Sequence, residues 1–280
     1  MMRKLPVFFA AVWMFWSGIF MTPGTLMAQH PMGTFVETIS RIEERKASWI
    51  AFRADLVMSF LTREGEIASC GGELFYQKLD ERILLKCTNA EGKLLFVFRT
   101  EDKFFELYLP ARSTAFQGNI FDLDDSLEIE SHLKPLDLYR ALKPAAFPSA
   151  ETIMKEWNRE EIRIQILGRW EDDPYLAREM VASLQGDVKE ETYYSPLEEP
   201  TLIIRREGFR KISPKKKGGR NAVIFPEHVN IESPETGEMT SLFFKSIRFS
   251  PSFESEAWTF PLPEGTQVVT IDVSPLKQLR

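Results

Sequence analysis

Ser48–Leu61, SWIAFRADLVMSFL, carries apolar side chains at every even position: Ile50, Phe52, Ala54, Leu56, Met58 and Phe60. Its odd positions mix Trp49 and Val57 with Arg53, Asp55 and Ser59. Period-two alternation over this length specifies a long strand, one face toward a core or cavity and the other toward solvent or a partial cover. Arg63-Glu64-Gly65 follows, with Gly where a three-residue hairpin needs a left-handed residue. That turn predicts Thr62 opposite Glu66, Phe60 opposite Ala68 and Met58 opposite Cys70. A second turn centred on Lys78-Leu79 would pair Tyr76 with Glu81, Leu74 with Ile83, Gly72 with Leu85 and Cys70 with Cys87. Both registers put Leu74, Ile83, Leu85 and the two cysteines on the face of Met58 and Phe60.

Outward from this pair of hairpins, Lys93–Thr100 and Lys103–Leu109 alternate in the same way across the short turn Glu101-Asp102, so five strands form an antiparallel meander. Upstream, Thr34–Lys46 reads as an amphipathic helix, with Phe35, Ile39 and Ile42 on one side and Thr34-x-x-Glu37 as a capping box. It is expected to cover one end or face of the sheet. Downstream the alternation weakens from Ala111. Pro135–Leu142 and Ser149–Trp157 read as short helices, giving a helical insertion over about 119–158 that could serve as a lid or plug, or equally as packing filler. Alternation resumes at Glu161–Leu167; in Pro174–Thr192 the spacing of Leu176, Met180 and Leu184 fits a helix, but Gln185-Gly186-Asp187 also serves as a hairpin turn, and the reading favours two strands. Thr201–Arg206, Asn221–Glu232 and Met239–Phe249 follow as strands, and Ala257–Ile271 is expected to close the sheet.

Residues 1–28 have the layout of an export signal: Arg3 and Lys4, an apolar run over Leu5–Met21, and Leu26-Met27-Ala28 ahead of a cleavage site. An uncleaved anchor is the alternative, since the run approaches the length of a thin membrane span. Residues 29–280 then form one domain. Cleavage removes Arg3 and Lys4 and takes the formal net charge from -6 to -8, which argues against nucleic-acid binding. In an exported chain the opposed Cys70 and Cys87 are expected to form a disulfide, the alternative being two buried thiols.

Motifs for chemistry are absent. The three histidines, His30, His132 and His228, are scattered, and no nucleophile elbow, metal-binding His or Cys pair, phosphate loop or dinucleotide fingerprint occurs. No catalytic residue, no metal and no cofactor is expected. An exported hydrolase using Glu160 and Glu161 lacks any nucleophile and base at a recognisable spacing. The acidic run Asp122, Asp124, Asp125, Glu128 and Glu130 lacks the spacing of a calcium loop and reads as solvated. Arg205, Arg206, Arg210, Lys211, Lys215, Lys216, Lys217 and Arg220, with Gly218-Gly219 at the tip, read as an exposed basic hairpin, suited to edge protection or to contact with anionic headgroups or an acidic partner.

The order of elements, the hairpin Gly71-Gly72-Glu73-Leu74-Phe75-Tyr76 and the closing Trp258-Thr259-Phe260-Pro261-Leu262-Pro263-Glu264-Gly265-Thr266-Gln267-Val268 resemble the LolA-like family of periplasmic lipoprotein carriers. The resemblance spans roughly Thr34–Ile271. It implies a mainly β fold: a curved antiparallel sheet forming an unclosed barrel, with short helices as a lid over a hydrophobic cavity. By position, Ile50, Phe52, Leu56, Met58, Phe60, Leu74, Ile83 and Leu85 would line that cavity. The implied function is non-enzymatic: carriage of lipoprotein acyl chains or phospholipid by a monomer in outer-membrane lipoprotein sorting, with an inner-membrane release complex or an outer-membrane acceptor as partners. The alternative is an envelope sensor or adaptor of the same fold that binds a protein. Family carriers have Arg-Pro at the tip of the second hairpin, the Arg holding the lid; Gln77-Lys78-Leu79 stand there in this chain, and Lys78 can supply the charge without the bidentate geometry.

Overall fold

A computed structural model of the chain describes residues 31–121, 135–143, 152–171, 173–213 and 222–271. The export signal and the acidic run Asp122–Glu130 lie outside the described residues, as do Lys215, Lys216, Lys217 and Arg220.

Helix α1 (Pro31–Ser48) leads into the meander β1 (Ala51–Leu61), β2 (Ile67–Gln77), β3 (Arg82–Thr88), β4 (Leu94–Glu101), β5 (Phe104–Leu109) and β6 (Thr114–Asn119). After α2 (Pro135–Leu142) come β7 (Thr152–Trp157), β8 (Glu161–Trp170), β9 (Asp173–Ser183), β10 (Val188–Tyr194) and β11 (Pro200–Glu207). The short pair β12 (Arg210–Ile212) and β13 (Val223–Phe225) forms its own sheet, and β14 (His228–Glu232), β15 (Met239–Ser250) and β16 (Gln267–Ile271) complete the chain. The main sheet has the order β16-β6-β5-β4-β3-β2-β1-β15-β14-β11-β10-β9-β8-β7. It is a curved, unclosed sheet with two helices, antiparallel except where β16 runs parallel to β6.

β1 sits at the centre, paired with β2 on one side and with β15 on the other. Its inward residues Phe52, Ala54, Leu56, Met58 and Phe60 are all buried, as the alternation requires. Ile50 departs from it: it precedes the strand and is 37% exposed, while Trp49 and Ala51 are buried. A local bend, in which the Ile50 amide donates to the Ser48 carbonyl, breaks the period-two phase before β1 begins.

The first hairpin has the expected register, Phe60 opposite Ala68 and Met58 opposite Cys70, with Gly65 at φ 80°. The second is two residues out. Gly72 opposes Cys87, Leu74 opposes Leu85 and Tyr76 opposes Ile83, across a four-residue loop Lys78–Glu81 in which Glu81 is left-handed. Lys78-Leu79 cannot supply the two positive-φ positions of a tight turn, so the loop opens to four residues. A slip of two preserves side-chain parity, and every inward residue stays inward. Cys70 and Cys87 are joined by a disulfide, with Cα atoms 5.9 Å apart, but diagonally rather than face to face. Gly72, without a Cβ, leaves Leu56 and Leu85 the space on that face.

Other departures share one cause, tertiary contact overriding local propensity. Of the helix expected over Ser149–Trp157, the described part Thr152–Trp157 is instead β7, paired with β8 as the edge strand. α1 begins at Pro31, and the Thr34 hydroxyl is buried without a partner rather than capping the helix. Ala257–Ile271 does not close the sheet. Only β16 joins it, at the edge beside β6, while Phe253, Ala257, Trp258, Phe260 and Leu262 pack over the outward side chains Phe75, Leu84, Val97, Tyr108 and Ala115.

α1 lays Ile42, with Phe35 and Ile39, against Ile162, Ile164, Ile166 and Met180 of β8 and β9. The helix therefore covers the second half of the sheet. The turn Ser183–Asp187 comes close beneath it, and a Cβ on Gly186 would lie 2.8 Å from that of Arg41.

Candidate functional site

The concave face of the first half, continued by β11, β14 and β15, carries one large apolar cluster. Phe52, Leu56, Met58, Phe60, Leu74, Ile83 and Leu85 all belong to it; Ile50 does not. Two elements lie over this face. The β12–β13 pair contributes Val223 and Phe225, with Phe225 stacked on Trp49 at 4.5 Å. The other is α2, whose Leu136, Leu138, Tyr139, Ala141 and Leu142 are all buried in the same cluster.

With eight residues α2 is about two turns of helix, too short to be stable alone. Its place is therefore decided by what holds it. At its C-terminal end the holding contacts are polar. Glu81, at the tip of the β2–β3 hairpin, accepts hydrogen bonds from Lys143 Nζ at 2.6 Å and from the Tyr139 hydroxyl at 3.0 Å. Lys143 Nζ also lies 4.2 Å from the Tyr139 ring centroid. From below, Arg206 donates to the Ala141 carbonyl at 3.4 Å and to Glu191 at 2.6 Å. Arg178 pairs with Glu191 at 3.3 Å, and Arg140 of α2 stacks over Tyr193 at 4.8 Å.

The electrostatics follow from these contacts. Burial raises the Glu81 carboxyl, but the hydrogen bond and charge of Lys143 and the hydrogen bond from Tyr139 outweigh it, leaving the group below its ordinary value. Burial and the neighbouring Glu81 carboxylate push the Tyr139 phenol up. Burial likewise raises Tyr193, beside Glu191.

The hairpin tip thus meets the helix with the polarity opposite to that implied by the family resemblance. The anion is on the hairpin and the cation on the helix. Lys78 is not part of the contact; its ammonium reaches the Lys46 carbonyl at the end of α1, at 3.3 Å. Glu81, Tyr139 and Lys143 gave no sequence signal, since Tyr139 and Lys143 lie 58 and 62 residues from Glu81 and only the fold brings them together. Arg206, expected in the exposed basic hairpin, is instead buried in β11 with its guanidinium on Glu191; its phase with Leu202 and Ile204 is the signal that points inward, toward a carboxylate partner.

The recess beside α2, lined by Asp137, Leu138, Ile231 and Thr240 among others, measures about 20 Å³. A second, of about 50 Å³, lies between the end of α1 and the β12–β13 pair, against Trp49, Phe209 and Ile224. Both are far below the roughly 300–1,000 Å³ of a pocket for a lipid-sized ligand. Among the described residues, no group of three or more His, Cys, Asp and Glu side chains is placed to hold a metal ion. Nor is any described helix long and apolar enough to cross a membrane. His228 is exposed, with its ring 4.7 Å from that of Phe243.

The fold of this chain is shared with solved structures. A LolA superfamily protein from Nitrosomonas europaea superposes with a TM-score of 0.52 at 11% identity, covering 80% of this chain and 97% of the other. The chain has the LolA-like fold. An outer membrane lipoprotein-sorting protein domain from Vibrio parahaemolyticus gives 0.56 at 11% identity, covering 80% and 95%. A DUF1329 family protein from Desulfovibrio piger gives 0.55 at 12%, covering 81% and 98%. No protein-family model and no curated protein matches the sequence.

Proposed function

We propose that this chain is a non-enzymatic periplasmic binding protein that takes lipoprotein acyl chains or other lipids onto its concave face when α2 is displaced, in the sorting of outer-membrane lipoproteins. The observation that carries the reading is α2 itself. Its five apolar side chains occupy the middle of the concave cluster, while its attachment at the C-terminal end runs through Glu81, Tyr139, Lys143 and Arg206 rather than through strand pairing. A short helix held this way can leave and be replaced by acyl chains, which need the same apolar surroundings. Phe52, Leu56, Met58, Phe60, Leu74, Ile83 and Leu85 would then contact the acyl chains. Affinity built on nonspecific apolar contact, set against the loss of the helix's own burial, is moderate and releasable.

The test is native mass spectrometry of the protein purified from a bacterial periplasm, with organic extraction of what accompanies it, and uptake of a fluorescent fatty-acid probe. Co-purifying phospholipid or acylated peptide, and saturable uptake competed by lipid, is the expected result. A bare apo mass together with no uptake by either the wild type or Glu81→Gln would remove this reading.

A further inference from the structure

Arg206 is an inward side chain on a strand whose other inward residues are apolar. Leu202 and Ile204 precede it in phase on β11, Val229 opposes it on β14, and all three belong to the concave cluster. The arginine itself is only 5% exposed. A guanidinium in such surroundings needs acceptors for the N–H groups it withdraws from water. Nη1 has the buried Glu191 at 2.6 Å, and Glu191 also takes Arg178 at 3.3 Å. Nη2 has the Ala141 carbonyl of α2 at 3.4 Å.

Ala141 is in the last turn of α2, where carbonyls lack partners within the helix. The helix therefore offers the concave floor two things at once. One is the apolar surface of buried side chains, Leu138 and Leu142 among them; the other is a carbonyl oxygen set on a cation. A fatty acyl ester offers the same pair, a carbonyl oxygen continuous with an apolar chain.

We infer that Arg206 selects for a fatty acyl ester: when acyl chains take the place of α2, its Nη2 passes from the Ala141 carbonyl to the acyl carbonyl, so that the site prefers acyl esters to alkyl ethers of the same length. This role rests on the displacement of α2 by acyl chains proposed above, which uncovers the guanidinium. The charges on the floor ask for a neutral acceptor. Glu191 already faces both Arg206 and Arg178, and the oxygen that Nη2 holds while α2 is docked is an uncharged carbonyl. A ligand with a methylene in place of the carbonyl leaves Nη2 dry in an apolar site, and loss of one hydrogen bond to a charged group weakens binding about tenfold.

The experiment is displacement of a fluorescent fatty-acid probe from the full chain by palmitoyl and by hexadecyl lysophosphatidylcholine, which differ only in that the first has a carbonyl where the second has a methylene. The wild type is expected to bind the palmitoyl form about tenfold more tightly, and Arg206→Met to bind the two within about twofold of each other. A purely structural role for Arg206 in holding α2 would instead shift both affinities together and leave their ratio unchanged. Dipalmitoyl phosphatidylglycerol and a dipalmitoylglyceryl-cysteinyl peptide, run against the same probe, tell a phospholipid source of the ester from a lipoprotein one; weaker binding of both than of hexadecyl lysophosphatidylcholine would count against the ester. Equal binding of the palmitoyl and hexadecyl forms by the wild type, which requires no variant to fold, would overturn the proposal while leaving acyl-chain binding intact. So would a palmitoyl preference that persists in a folded Arg206→Met variant. Displacement by neither form would remove acyl-chain binding itself, and the selection by Arg206 with it.

Discussion

Glu81→Gln isolates the charge that holds α2. The substitution keeps an acceptor for the Tyr139 hydroxyl but removes the anion facing Lys143 at 2.6 Å. A hydrogen bond to a charged group contributes about 1.5–3 kcal/mol when buried, and an exposed ion pair about 0.2–1 kcal/mol. The Glu81 side chain is 45% exposed and that of Lys143 25%, so solvent screens the pair strongly and about 1 kcal/mol is expected. That is roughly a fivefold shift in the equilibrium between docked and undocked α2. Hydrogen exchange of the amides of residues 136–143 reads this equilibrium directly. Exchange should quicken about fivefold in Glu81→Gln and in Lys143→Met, and the double variant should be no faster than either single one, because both remove the same interaction. The pH dependence has a defined sign. Glu81 is held below its ordinary value, 4.5, so its contribution is present above that pH and is lost as pH falls through the lowered value. Wild-type α2 should therefore gain an extra step of faster exchange as pH falls below 4.5, whereas Glu81→Gln should lack that step. Unchanged exchange in Glu81→Gln, or additive single effects, would refute the assignment of Glu81 as the group that holds the helix.

Three further outcomes follow from the packing. Leu138→Ala, at a fully packed position of α2, should cost about 2–5 kcal/mol of helix docking and raise uptake of a fluorescent fatty-acid probe at unchanged global fold; reduced uptake would contradict the role of α2 as occupant of the acyl site. Breaking the bridge with Cys70→Ser and Cys87→Ser releases a 17-residue separation, and the chain-entropy account expects a loss of about 3 kcal/mol in urea unfolding; thiol titration of the unreduced, unfolded wild type should find none free. Gly186→Ala places a methyl group 2.8 Å from Arg41 Cβ at φ 87°, so it should lower stability by about 1–3 kcal/mol and loosen α1, seen as a lower melting temperature and faster exchange in that helix.

The sequence by itself determined which side of each strand faces inward, because side-chain direction in a strand depends on parity alone. Phe52 to Phe60, Leu74, Ile83 and Leu85 are buried where alternation put them, and even the two-residue slip in the second hairpin left that face intact. It also determined the first turn, where Gly65 admits one register. What it could not determine were features created by contacts between distant segments. Thr152–Trp157 has the composition of a helix and becomes a strand because β8 offers it a pairing edge. The aromatic residues Trp258 and Phe260 alternate like a strand yet serve as a cover, because the outward side chains of β2 to β6 need one. Glu81 looks like an ordinary turn residue until the four-residue loop and the docking of α2 bring Tyr139 and Lys143 to it. Periodicity is a local property and was legible; the partners of a lone charge at a loop tip are set by how the sheet curves, and only the tertiary structure decides them.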